Sequence, residues 1–226
     1  MKTPLPFTAA LLLATMTMSA DDATPFNGKS LDGWKTKGAK EKSRWTVGSA
    51  TMSAEKNGEL AVAKEGTELV NAKSGGIDIY SEAAFGDAII ELEVMVPKGS
   101  NSGIYVMGEY EIQVFDSFGK AKPGGGDMGA LYGAQPPRVN ASKKPGEWQK
   151  YEIHFKAPRF DADGKKTSNA VFQKVILNGQ VLHENVEMPK GTPGGVDGKE
   201  KAKGPIMFQG DHGPVAYRNI AIKPLK

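Results

Sequence analysis

The feature that most constrains the fold is a period-two alternation that recurs along the chain. Windows such as DAIIELEVMVP, SGIYVMG, YEIQVFD, EWQKYEIHFKAP, NAVFQKVILNG, QVLHENVEM and AYRNIAIKPL place apolar residues at alternate positions. In an extended strand this turns one face to a core and the other to solvent. The windows are short and are separated by clusters of Gly, Pro, Asn and Asp, which break strands and form turns. Helical periodicity is scarce. The pattern predicts an all-β chain of two antiparallel sheets packed as a jelly-roll sandwich.

The same alternation assigns faces. Ile90, Leu92, Val94 and Val96 form one apolar file, and Tyr151, Ile153 and Phe155 another; Ile220 and Ile222 follow suit near the end. Glu91, Glu93, Lys150, Glu152, His154 and Tyr217 fall on the opposite, polar face, the arrangement a sandwich requires. Asn178-Gly179, set between two alternating runs, predicts a two-residue hairpin turn. Asp161-Ala-Asp163-Gly164 has the start of a calcium loop but no Glu at the downstream spacing, so it reads as a turn.

The 226 residues contain no cysteine. Disulfides, thiolate metal sites and a Cys nucleophile are thereby excluded. The net charge is only +3 and the lysines cluster in loop-like stretches (KAK, SKKPG, GKEKAKG). No basic stripe interleaved with aromatics is present, which argues against a nucleic-acid partner. At the start, Lys2, the apolar run 7–15 and the small residues of TMSA have the layout of a secretory signal peptide. The expectation is a leader over residues 1–20, cleavage after Ala20, and a periodic strand domain over 24–226 that is periplasmic or secreted and not held in a membrane.

Candidate chemistry gathers in two places. In Glu109–Phe115, Tyr110, Ile112 and Val114 point to the core, while Glu109, Glu111, Gln113 and Phe115 point the other way. Glu111, Gln113 and the following Asp116 are candidates for catalysis. Near the C-terminus, FQGDHGPVAYRN supplies His212, of the residue type whose unperturbed pKa lies nearest neutrality, together with Gln209 and Arg218. His154, mid-strand, and His183, in a hairpin arm, read as structural or solvated. Asn101, Tyr105 and Tyr132 are candidates for substrate contact, the tyrosines through their flat ring faces. Asp116, Asp127 and Asp211 are oxygen donors suited to Ca²⁺ or Mg²⁺. Two long glycine-rich segments, 117–146 and 188–204, exceed simple turns. The first, with its GALYG stretch, is expected to fold over the sheet as one wall of a cleft.

The ordered set PFNGKSLDGW, SNSGIYVMGEYEIQVFDSFG, GALYG, GEWQKYEIHFKAPRF, LNGQVLHEN and PIMFQGDHGPVAYRNIAIKPL resembles the 3-keto-disaccharide hydrolase domain family from about Thr24 to Leu225. The resemblance implies a concanavalin A-like jelly roll, export from bacterial cells, and cleavage of glucosides whose C3 hydroxyl has been oxidised to a ketone. Glu111-Ile-Gln113-Val-Phe-Asp116 is also similar to the Glu-x-Asp-x-x-Glu strand of retaining β-glucanases. Here the middle carboxylate is an amide and the last is shortened. Alternation puts Glu111 and Asp116 on opposite faces unless a bulge intervenes, whereas a retaining pair stands roughly 5–5.5 Å apart. Three readings follow: an exported enzyme acting on 3-keto-glycosides, a lectin-like sugar-binding module, and a structural cell-surface module. The enzyme requires Glu111 in a pocket with Gln113, His212 and Arg218 in reach; the lectin requires a shallow aromatic surface.

Overall fold

The computed structural model describes residues 24–56 and 58–225; the expected leader lies outside them. The strands, in chain order, begin with β1 (Trp34–Thr36), β2 (Trp45–Met52), β3 (Leu60–Asn71), β4 (Ile79–Phe85) and β5 (Ala88–Met95). Next come β6 (Asn101–Val106), β7 (Tyr110–Phe115), β8 (Trp148–Lys156), β9 (Arg159–Phe160) and β10 (Lys166–Ser168). The last four are β11 (Ala170–Leu177), β12 (Gln180–Met188), β13 (Gly204–Phe208) and β14 (Val215–Pro224).

Two large antiparallel sheets carry the fold. One has the order β1-β4-β13-β6-β7 and the other β12-β11-β8-β5-β14-β3-β2. The all-β jelly-roll expectation is met. Among the described residues no helix is long and apolar enough to cross a membrane. The predicted hairpin forms between β11 and β12, with Asn178 and Gly179 both at positive φ, as a tight turn matched to strand twist requires. The Asp161 side chain accepts from the Asp163 and Lys165 amides, making the Asp161–Gly164 stretch the plain turn between β9 and β10.

The apolar files meet between the sheets. Ile90, Leu92, Val94, Tyr151, Ile153 and Phe155 of the larger sheet and Ile104, Ile112 and Val114 of the smaller are all buried. Tyr110, Phe155 and Phe172 form an aromatic chain at one end. At the other, Tyr217 stacks on Phe208 with ring centroids 3.9 Å apart. Tyr217 is therefore not on the polar face that alternation gave it. An extra residue interrupts the pairing of β14 with β5 between Arg218 and Ala221, with Asn219 at φ 52°. The bulge lets Tyr217 and Ile220 both face inward although three positions apart. The other five residues of that polar set are not core.

The strand β3 escapes the sequence pattern. Its Lys64-Glu65-Gly66 reads as a break, yet the strand runs through it. Against β2 the register jumps from Gly48↔Glu68 to Ser49↔Ala63, so the intervening residues loop out of the ladder. Glycine at 66 is needed there: a Cβ would lie 2.3 Å from the Ser49 nitrogen.

The strand that carries the candidate residues, β7, is the edge of its sheet, and both long loops cover that edge. From 117–146, the Gln113 amide donates to the Ala130 carbonyl, and the Gly129 and Tyr132 amides donate to the Gln113 and Glu111 carbonyls. From 188–204, the Thr192 amide donates to the Glu109 carbonyl, and the Thr192 hydroxyl accepts from the Glu111 amide at 3.0 Å. An edge strand left bare would present unpaired backbone groups; here loop backbone and side chain satisfy them.

Candidate active site

The β6–β7 pair has unbroken register, with Asn101↔Phe115, Gly103↔Gln113 and Tyr105↔Glu111 opposite one another. Side chains of all these positions share the face turned away from the core, and they floor a cleft of about 470 Å³. The wall from 117–146 contributes Gly126 and Tyr132, and that from 188–204 contributes Pro193 and Gly194. Beyond β6, the chain leaving β13 adds Gln209, Asp211 and His212. The first loop is the wall the sequence predicted.

Glu111 lies at the centre. It is only 3% exposed, because the two loops roof a face that alternation alone would leave wet. Gly103 makes room for it. A Cβ there would lie 2.6 Å from Glu111 Oε1 and 3.0 Å from the Tyr105 ring. Burial pushes the Glu111 carboxyl up to about 7; the nearby Tyr105 hydroxyl and the charge of His212 act the other way, and Asp78 and Asp211 add to the rise. The Tyr105 hydroxyl donates to the Pro193 carbonyl at 3.2 Å, tying the floor to the second wall. Its own pKa is raised, chiefly by burial.

The polar neighbours are held in place. Gln113 Nε2 donates to Asn101 Oδ1 at 2.5 Å. The Gln209 amide donates to the Gly103 carbonyl, and its own carbonyl accepts from Ser102. The turn that follows is fixed by Asn71, whose Nδ2 donates to the carbonyls of Gly210 and Gly213. On that turn His212 Nδ1 bonds the Asp211 carboxylate, and both side chains are about half exposed.

Seven of the nine candidate residues therefore share one cleft: Glu111, Gln113, His212, Asn101, Tyr105, Tyr132 and Gln209. Two do not. Asp116 accepts from the Gly99 amide at 2.9 Å and does not line the cleft; β7 has no bulge, so the odd spacing sends it away from Glu111. Arg218 belongs to the larger sheet. There it pairs Glu93 at 2.7 Å and stacks over Trp148 at 4.1 Å, outside the cleft, because Tyr217 beside it faces the core. The oxygen donors Asp116, Asp127 and Asp211 do not come together as a cation site. Asp127 is taken by Lys120, Ser117 and the Gly124 amide, and Asp211 by His212. Among the described residues no three His, Cys, Asp or Glu side chains gather as a metal site.

Of the other histidines, His154 pairs Glu152 at 2.7 Å on the outer face of the larger sheet. His183 is fully buried and bonds the Gly129 carbonyl at 2.8 Å, which anchors the first wall from beneath.

Sequence reasoning missed Lys37 and Asp78. Lys37 Nζ donates to the Gly194 carbonyl at 2.5 Å and lies 3.6 Å from Asp78. Asp78, nearly buried, accepts from the Gly210 amide at 3.0 Å; burial raises its pKa. Both stand at strand ends far from the candidate motifs in sequence, and no local pattern marks them.

A buried carboxyl poised near neutrality, surrounded by amides, a cation and a histidine, can take up and return a proton. The polar floor also offers hydrogen-bond donors to an oxyanion.

Comparison with known proteins bears on the fold and the family. A candidate glycosyl hydrolase from Parabacteroides distasonis is 29% identical, with a TM-score of 0.69 over 91% of this chain and 84% of its own. A second such protein from the same organism, 17% identical, superposes with a TM-score of 0.59 over 91% and 94% and shares the fold. No curated protein sequence matches the chain. The model of the 3-keto-alpha-glucoside-1,2-lyase-like domain matches residues 22–223, and with nearly the whole chain so matched, the protein belongs to that family.

Proposed function

We propose that the protein cleaves 3-keto-glycosides outside the cytoplasm, with Glu111 as the base that removes the proton at C2. The observation that carries the reading is the position of Glu111: a buried carboxyl, raised to about 7, on the floor of a cleft lined with hydrogen-bonding groups. A ketone at C3 acidifies the C2 proton. The Glu111 carboxylate takes that proton, and the electron pair moves into an enolate with its charge on the C3 oxygen. The enolate collapses, the C1–oxygen bond breaks with its electrons, and the leaving oxygen is protonated. The sugar is left with a C1=C2 double bond conjugated to the ketone. Water adding hydroxyl at C1 and a proton at C2 completes a net hydrolysis.

Only one base is required, which accords with a cleft that Asp116 does not enter. Gln113, Asn101 and Lys37 are the donors available to the enolate oxygen. His212 is the candidate to protonate the leaving group. Export rests on the leader-like stretch at residues 1–20.

Incubation with a panel of 3-keto-disaccharides and 3-keto-glucosides, followed by mass spectrometry, tests the reading. The oxidised compounds should be split and their unoxidised parents left intact. Tight binding without turnover across the panel would return the cleft to a lectin-like role.

A further inference from the structure

A second pocket of about 360 Å³ adjoins the cleft and shares Tyr132 and Pro193 with it. Its chemistry is different. The first cleft is lined by Glu111, Asp78, Asp211, Lys37 and amides. The second is walled by Ala134, Pro189 and Pro193 over the buried Met188, with Gln135 and Thr192 as its uncharged polar side chains, and its two charged residues, Glu187 and Lys190, are exposed.

The junction between the two is tied to Glu111 itself. Thr192, in the second pocket, accepts from the Glu111 amide, and the Tyr132 amide donates to the Glu111 carbonyl. The bond that breaks is one carbon away from the proton that Glu111 removes. A sugar placed with C2 over Glu111 thus has a departure route beside it, and Tyr132, 42% exposed, offers a ring face along that route.

We infer that the second pocket receives the leaving group and selects an aromatic one. The inference rests on the cleavage reading above. An aromatic ring packs on the exposed Tyr132, Pro189 and Pro193, whereas a second sugar would set hydroxyls against these apolar surfaces, which offer them no partner.

The test compares benzyl and methyl 3-keto-glucosides of the same anomeric form. Benzyl alcohol and methanol are similar in acidity, so leaving-group chemistry is matched. The benzyl compound should show a kcat/KM about tenfold or more higher, the scale of burying one apolar ring. Ala134→Trp, at an exposed position that would fill the pocket, should bring the ratio close to one. Equal values in the native protein, or a ratio unmoved by Ala134→Trp, would overturn the assignment. Should neither compound be cleaved, the cleavage reading fails and binding alone decides the pocket. Benzyl glucoside should then shift the Met188 methyl resonance and bind about tenfold more tightly than methyl glucoside; an unshifted resonance or equal affinity overturns it.

Discussion

Tyr105 and Glu111 stand opposite each other in the β6–β7 ladder, and the space both occupy exists because position 103 has no side chain. The pair sets the state of the cleft. The ring helps bury the carboxyl, and the burial moves its proton affinity to neutrality.

Replacing Glu111 by Gln should lower turnover by roughly a hundredfold or more, the scale of losing a general base. In the native protein kcat/KM should rise with pH through about 7 as the carboxyl ionises; the variant should lose that limb. Stability should respond in the opposite sense. Between 4.5 and about 7 the folded protein retains a proton that the unfolded chain has released. Native stability therefore falls as pH rises through that window. Glu111→Gln removes this dependence, and above pH 7 it should be more stable than the native protein by on the order of 1–3 kcal/mol. Thermal melts between pH 5 and 8 report the stability change.

His212→Gln tests the electrostatic partner. Protonated His212 favours the Glu111 carboxylate, so its loss should raise the pKa of Glu111 further. The rising limb of the pH–rate profile should move to higher pH. A profile that stays in place would separate His212 from Glu111.

Gly103→Ala introduces one methyl group at a position of ordinary φ. It cannot be accommodated without moving Glu111 Oε1. Activity should drop by roughly a hundredfold, as displacement of about 1 Å does in catalytic sites. Circular dichroism should remain that of the native sandwich.

Arg218→Ala should give the converse result. Its ion pair with Glu93 and its contact with Trp148 are half-buried on the other sheet. Loss of about 1–2 kcal/mol is expected from the charge pair and the cation–π contact together, with kcat/KM unchanged. A large fall in turnover at constant stability would bring Arg218 back into the chemistry.

Export has its own check. Protein recovered from the periplasm of a bacterial host should begin near residue 21 by mass spectrometry. Intact Met1 on that material would refute it.

Most of the sandwich was legible because strand alternation is a local code. Ile90 to Val94 and Tyr151 to Phe155 need only their neighbours to declare a face. Tyr217 was misplaced because a bulge at Asn219 changes the phase after it, and a bulge of that kind leaves no apolar mark. β3 was missed because Gly66 reads as a break where the chain only steps out of register. At the site, Glu111 and Gln113 were visible through the same alternation, and the odd spacing to Asp116 already set that residue apart. The burial of Glu111 was not visible, since it depends on two loops docking from beyond the strand. Lys37 and Asp78 were hidden for a related reason: β1 and β4 reach the cleft only through the sheet order, which brings distant segments together.

The two walls are held mostly by their backbone: the edge strand pairs with it, and Tyr105, His183 and Lys37 reach the wall carbonyls of Pro193, Gly129 and Gly194, with the Thr192 hydroxyl and the Glu200 carboxylate as side-chain exceptions. Attachment of that kind is indifferent to most of the other side chains the walls display. Descendants of this protein could rewrite 117–146 and 188–204 piece by piece, altering what is admitted, while the carboxyl beneath kept its setting. The division gives an evolving lineage separate parts to vary and to keep, so new ligands can be admitted while the floor beneath stays as it is.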